Sequence, residues 1–435
     1  MFDEFAILMA VLTAVAWVFI GIFQAAKVGT NKEKPFSWIW YVLSLAAMLV
    51  MIFADHAFVF VGGYGALLVF GTLMLRKHRA EGEKSLWTGY LVNGLIGFAF
   101  IIGGLFVVSP MLSSYYFLAG GNANLDNKEM FAYGTFAIML GFFAASGVAP
   151  FMWLKSMNEK ASGAMNALFS SAMLGAGFIG STRFLYFLLG TEGIEIETIQ
   201  FIWGAIAVLA MLLSAVLACK EKNVAKKLGY AASAQMAIIL FGFTTLTGNA
   251  FIGSALLFVG FVVAMIVMFM SVATLQEKMN IQTVADFAGA GKKCPVVMWC
   301  FTIALLYLTG IAPFGGFIGR WYLIRGAFFE GITFLQLQWV GPVAVILASL
   351  LVFVAVLPML MKAFFMEAQE SADEENSMAE ENETSEEDEE PVVKMGLPKA
   401  IVIPMVILTV LLVVYSVWPM QVYNVLQTIA EKMLA

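Results

Sequence analysis

Apolar runs of about 20 residues recur along nearly the whole chain, each parted from the next by a short polar stretch. A bilayer hydrocarbon core roughly 30 Å thick is crossed by about 20 helical residues. Inside it, every backbone N–H and C=O must find its partner within protein. Runs of this length and number leave one fold class open, an all-α polytopic membrane protein. The composition agrees, since 61% of the 435 residues are hydrophobic and only 12% are charged, far outside the soluble globular range. The runs place about twelve transmembrane helices at 5–26, 36–54, 57–75, 86–108, 131–153, 164–189, 200–219, 228–247, 250–274, 295–325, 339–363 and 400–418. The first run starts at Phe5 and has neither a basic leader nor a small-residue cleavage site, so it is expected to be a first span rather than a removable signal.

Orientation follows from the basic residues, because cytoplasmic loops carry the excess of Lys and Arg. With twelve spans, alternate loops collect 19 of the 24 basic residues on one side, from Lys27, Lys32 and Lys34 at the first to Lys362, Lys394 and Lys399 at the last. Both termini are then expected on the non-cytoplasmic side of a cell (inner) membrane. The net charge of −6 hides this pattern, because Glu367 to Glu390 carries 13 of the 30 acids and no Lys or Arg. Such a tract cannot bury enough apolar surface to fold, so it is expected as a disordered cytoplasmic loop. Five segments result: 1–35, an N-terminal helix; 36–190 and 191–366, two five-helix units; 367–399, the acidic loop; and 400–435, a last span with an amphipathic tail at the outer interface.

Several chemistries are excluded. The three cysteines, Cys219, Cys294 and Cys300, have no CxxC spacing, and the only histidines are His56 and His78. No metal, haem or other cofactor site is expected from so few ligands, and no catalytic constellation is present. Gly289-Ala290-Gly291-Lys292-Lys293 lacks the spacer and the Ser or Thr of a phosphate loop. Gly62-Gly63-Tyr64-Gly65 lies inside a span, where small residues permit close helix packing. Nothing points to nucleic acid. The 27 Met and 39 Phe read as core and lipid-facing filler.

One motif occurs twice. Ser146-Gly147-Val148-Ala149-Pro150-Phe151 lies in the fifth span and Thr309-Gly310-Ile311-Ala312-Pro313-Phe314 in the tenth. Gly and Pro within a membrane helix free backbone carbonyls and break it, which is tolerated only where protein or water satisfies the freed groups. Grouping spans 2–6 and 7–11 puts the broken helix fourth in each unit, and an odd number of spans makes the units opposite in orientation. This is the inverted-repeat plan of transporters, with discontinuous helices at Gly147, Pro150, Gly310 and Pro313 near the midplane.

The residues around these breaks resemble a known family. Gly147 to Leu154, then Ala167 to Gly177 and Arg183, are similar to the Pro-containing signature of antiporter-like subunits of respiratory complex I, multisubunit sodium/proton antiporters and membrane-bound hydrogenases. Lys226 to Gln235 resembles the family's basic Leu-Ala-Tyr-Ser entry to a helix, Leu308 to Arg320 its second broken helix, and Asp55 to Gly65 the helix carrying its key acid. The resemblance covers about residues 50–365 and implies a divergent member shortened by two N-terminal helices.

The family's proton path, as the resemblance implies, is a row of intramembrane ionisable groups. Here the acid's position holds Tyr64, the lysine of the first broken helix is Ala145, the next helix has Phe169 and Gly175, and the ninth has Phe261. The last position keeps a charge as Arg320. No Asp, Glu, Lys or His lies near the centre of any span, which leaves Arg183, Arg320 and Arg325, and arginine holds its proton at ordinary pH. Arg320 is expected to anchor the outer end of its helix by snorkelling, and Arg183 to cap carbonyls or pair with a neighbouring subunit's carboxylate. The candidate ion-path groups are Arg320, Arg183, Tyr64, Ser146 and Thr309, with Ser170 and Ser171 as further hydroxyls. The expected role is a membrane-arm subunit of a complex-I-like or hydrogenase-like redox complex, among other antiporter-like subunits and lipid, connecting or sealing rather than pumping. An active H⁺ or Na⁺ translocator with an altered path, and a stand-alone secondary transporter, are the alternatives.

Overall fold

The computed structural model describes residues 2–28, 37–78, 85–121, 123, 127–156, 161–191, 197–329, 337–366 and 398–434. The acidic tract from Glu367 to Glu390 lies outside these residues, as do Lys32, Lys34, Arg79, Lys84, Lys160 and Lys394 of the orientation argument. The first half of the described chain forms α1 (Glu4–Val28), α2 (Trp38–Phe53), α3 (Ala57–His78), α4 (Ser85–Val108), α5 (Lys128–Ala145), α6 (Gly163–Phe169) and α7 (Gly175–Thr182). The second forms α8 (Glu197–Lys220), α9 (Val224–Thr244), α10 (Gly248–Met279), α11 (Pro295–Thr309), α12 (Gly315–Phe329), α13 (Leu337–Phe365), α14 (Lys399–Val417) and α15 (Met420–Leu434). Seven of these, α1, α3, α4, α8, α10, α13 and α14, are long and apolar enough to cross a bilayer, while α2 and α11 are apolar but shorter.

Polar residues at the helix starts fix where the apolar segments begin. The side chains of Asn127, Ser162, Asn223 and Thr247 each accept a hydrogen bond from the backbone N–H three residues on, capping α5, α6, α9 and α10. At the centre stands α10, whose 32 residues span about 48 Å and are buried along most of their length. Helices α1, α6, α9, α11, α12, α14 and α15 all pack against it.

Both Gly-x-Ala-Pro segments interrupt their helices, and in the same way. At the first, Gly147 takes φ +61° and its N–H donates to Ala144 O at 3.1 Å, while Phe151 N–H donates to Val148 O at 2.7 Å. At the second, Gly310 takes φ +74° with its N–H on Tyr307 O at 3.1 Å, and Phe314 N–H donates to Ile311 O at 3.0 Å. The Ala149–Pro150 and Ala312–Pro313 peptide bonds are both cis. The left-handed φ explains why glycine opens each break, since any other residue there meets its own carbonyl.

The span expected at 164–189 is not one helix. It stops at Phe169, makes a wide turn in which Met173 N–H reaches Leu168 O at 3.1 Å, restarts as α7, and ends in a π-helical stretch from Arg183 to Leu189. Serine causes the interruption in part, because Ser171 Oγ donates back to Ala167 O and competes with the helical ladder.

Glycine at 177 lets α7 lie directly on the first break. A Cβ there would sit 1.8 Å from Ser146 Oγ and 2.6 Å from Phe142 O. Gly177→Ala is therefore expected to destabilise the protein by about 1–3 kcal/mol through overpacking, seen as a lower thermal unfolding midpoint in mild detergent. Adding Ser146→Gly should recover part of that loss; an unchanged midpoint for Gly177→Ala would mean that α7 is not held against the break.

Candidate functional site

One group of interior polar atoms gathers around α9, which lies between the two breaks. Ser233 donates its hydroxyl to Gly147 O at 2.9 Å, supplying one carbonyl of the first break, and shares a hydrogen bond with Ser214 of α8 at 3.2 Å. Two residues on, Gln235 Oε1 accepts from Arg320 Nη2 at 2.6 Å, and the same nitrogen donates to Leu308 O at 2.7 Å, beside the second break. Arg320 also donates through Nη1 to Gly316 O (2.9 Å) and through Nε to Ser349 of α13 (2.8 Å). Gly310 leaves room for this head group, because a Cβ there would lie 2.3 Å from Nη1. Arg320 is thus buried among neutral acceptors and does not snorkel, contrary to the expectation for a long side chain near a helix end.

Arg183 is equally buried but differently paired. Its Nη1 and Nη2 fork onto Asp3 Oδ2 and Oδ1 at 2.6 and 2.9 Å, Nη2 also donates to Ile52 O at 3.1 Å, and the rings of Phe187 and Phe5 lie 4.9 and 5.4 Å from the guanidinium carbon. The carboxylate therefore comes from the start of this chain and not from a neighbouring subunit. Asp3 serves twice, since Oδ1 also accepts Ala6 N–H at 2.7 Å and caps α1. At the far end of α1, buried Lys27 pairs with Glu277 of α10 and donates to Ala273 O at 3.1 Å. Buried Lys227, in the first turn of α9, donates to Ala218 O at 2.9 Å.

The candidate ion-path groups have separate surroundings. Tyr64 is buried beside α4, with its hydroxyl 3.5 Å from Gly94 O and its ring 6.2 Å from that of Phe98. Ser146 Oγ, against Gly177, has no hydrogen-bond partner among the described residues. Thr309 Oγ1 donates to Leu306 O of its own helix at 3.1 Å. Around them the interior is aromatic. The Phe169 ring stands 5.1 Å from Tyr90 and 6.2 Å from Trp153, and Tyr90 and Trp153 are 4.9 Å apart. Phe178 stacks on Phe258 at 4.3 Å, and a Cβ on Gly175 would touch the Phe258 ring at 3.0 Å. Ala145 and Phe261 are both buried. Among the described residues no cluster of three His, Cys, Asp or Glu side chains could hold a metal.

Ser233, Gln235, Ser349, Asp3 and Glu277 are not singled out by sequence reasoning. A signal exists for two of them: Ser233 and Gln235 are the polar residues of the otherwise apolar Ala231–Phe243 stretch. Asp3 and Glu277 sit at helix ends, where an acid reads as an ordinary solvated residue.

Residues 54–342 match the family described as NADH:quinone oxidoreductase/Mrp antiporter, TM. The chain belongs to this family. Within it, the chain is 24% identical over 375 residues to a Na(+)/H(+) antiporter subunit of Bacillus subtilis (strain 168), covering 85% of this chain and 74% of that protein. It is 26% identical over 358 residues to an NADH-quinone oxidoreductase subunit of Chloroherpeton thalassium, covering 78% and 69%. Its fold is that of chains in the Mrp complex from Dietzia sp. DQ12-45-1b (TM-score 0.81, 16% identity, 100% of this chain and 84% of that one) and in the archaeal membrane-bound sulfane sulfur reductase (TM-score 0.80, 18% identity, 99% and 82%). A chain of Thermus thermophilus respiratory complex I matches with TM-score 0.76, at 18% identity, over 100% of this chain and 86% of that one. In this antiporter-family chain the pairing of Asp3 with Arg183 is open to a direct test. Asp3→Asn leaves a buried guanidinium without its counter-charge and should cost about 3 kcal/mol in denaturant or thermal unfolding. Combining it with Arg183→Met should restore much of the loss, whereas an additive double variant would show that the pair is not coupled.

Proposed function

We propose that the chain is an antiporter-like membrane-arm subunit of a multisubunit redox-driven or cation/proton complex, and that within it the chain connects and seals rather than carries a complete proton path. The observation behind this is the chemistry at the family's path positions. Tyr64, Ala145, Phe169, Gly175 and Phe261 stand where the resemblance calls for acids, lysines or histidine, and their surroundings are packed aromatic and aliphatic side chains. Protonatable groups in the bilayer interior are costly and are kept for function. Here the positions hold groups that lipid-like surroundings favour.

The matching geometry of the two breaks supports the inverted repeat of two five-helix units among about twelve spans, and the pattern of basic residues supports termini on the non-cytoplasmic side of the cell membrane. The partners are other antiporter-like and redox subunits. An active translocator with an altered route draws support from the buried hydroxyls of Ser146, Ser181 and Ser254, which have no partner among the described residues and would each suit a bound water.

Isolation from the native membrane in mild detergent, followed by mass spectrometry, is expected to recover the chain with stoichiometric redox or antiporter-type subunits. A lone monomer or homo-oligomer would overturn the assignment in favour of a stand-alone transporter. In the intact complex, Ser146→Ala with Thr309→Val should leave the number of ions moved per turnover unchanged. A drop would instead establish the hydroxyl route.

A further inference from the structure

Among the described residues four buried cations lie within or at the ends of the helices packed around α10: Arg183 is neutralised by Asp3 and Lys27 by Glu277, Lys227 has Glu221 nearby, but Arg320 has no carboxylate. All four of its acceptors are neutral: two backbone carbonyls, an amide oxygen and a hydroxyl. They satisfy its donors without cancelling its charge. A guanidinium stays protonated when buried, so the second break carries a net unit of positive charge in a medium where fields are weakly screened.

The charge is also held in place. It is clamped from α9 (Gln235), α11 (Leu308 O), α12 (Gly316 O) and α13 (Ser349), with Gly310 fitted against the head group. A side chain kept only to satisfy the carbonyls of a break could be neutral. A fixed cation of this kind raises an electrostatic barrier to any other cation, as at the arginine constrictions of water-selective pores.

We infer that Arg320 is an electrostatic seal: its charge, uncompensated among the described residues, bars protons and metal cations from passing at the second break, where α9, α11, α12 and α13 meet. This rests on the reading of the chain as a non-conducting subunit, and gives that subunit a specific way of staying tight.

The test uses the full chain in phospholipid vesicles loaded with a pH-sensitive dye, with an inside-negative potassium diffusion potential driving proton entry. The unaltered protein is expected to match protein-free vesicles. Gln235→Glu keeps the shape and the hydrogen bond but neutralises Arg320, and it should raise proton entry roughly tenfold or more. Arg320→Gln should do the same, and Arg320→Lys should stay tight. Tight vesicles with Gln235→Glu and Arg320→Gln, each verified as folded by thermal unfolding, would overturn the seal while leaving the non-conducting subunit standing. So would a leak through Arg320→Lys equal to that of Arg320→Gln. Conduction by the unaltered protein that Gln235→Glu increases would uphold the seal and overturn the non-conducting reading; conduction that Arg320→Gln abolishes would overturn both.

Discussion

A carbonyl freed inside a membrane must find a donor, and the interior of this protein is arranged around that need. Two Gly-x-Ala-Pro segments break their helices, and without water each freed group would cost several kcal/mol. The donors come from elsewhere in the fold: Ser233 for Gly147 O, and Arg320 for Leu308 O. Because Ser233 and Gln235 are two residues apart on α9, a single helix serves the first break directly and holds the arginine that serves the second. The position of α9 between the breaks follows from these bonds as much as from apolar packing.

Away from the breaks, charge is handled by pairing inside the chain. α1 carries Asp3 at one end and Lys27 at the other, and each meets an opposite charge on a different part of the fold, Arg183 at the start of the π-helical stretch and Glu277 on α10. A buried ion pair adds little net stability but is costly to break, so pairs like these fix geometry more than they strengthen it. The effect is to set α1 in register with both parts of the fold. Aromatic rings fill what remains: Phe169 closes against Tyr90 and Trp153, and Phe178 against Phe258. In relatives of this family the resemblance places ionisable groups at Phe169 and its counterparts. On the proposed reading, a ring in that position takes the place of a proton acceptor and fills volume that hydration would need.

Much of this is legible in the sequence because bilayer thickness and backbone satisfaction act on local patterns. The apolar runs, the two breaks and the missing ionisable groups can all be read residue by residue. What escapes is set by contacts between distant segments. Nothing near Arg183 in the chain announces Asp3, 180 residues earlier, and a helix end gives Glu277 no mark that separates it from a solvated acid. Arg320 departs from expectation for the same reason: its nearness to a helix end suggests snorkelling, while its destination is decided by Gln235 and Ser349 on other helices. The split of the expected 164–189 span comes in part from the Ser171 hydroxyl competing with the backbone, a local effect that an apolar average conceals.

If the chain connects and seals as proposed, packed rings interrupt the interior path and an arginine with no carboxylate partner among the described residues guards it. The most direct measurement is a density map of the protein in a lipid nanodisc, at a resolution where ordered water is visible. Isolated waters are expected at hydroxyls such as those of Ser146 and Ser254, with none between the rings of Phe169, Tyr90 and Trp153. An unbroken file of water from the Lys227 end of α9 past Ser233 to Arg320 and on to the opposite face would contradict the proposed reading.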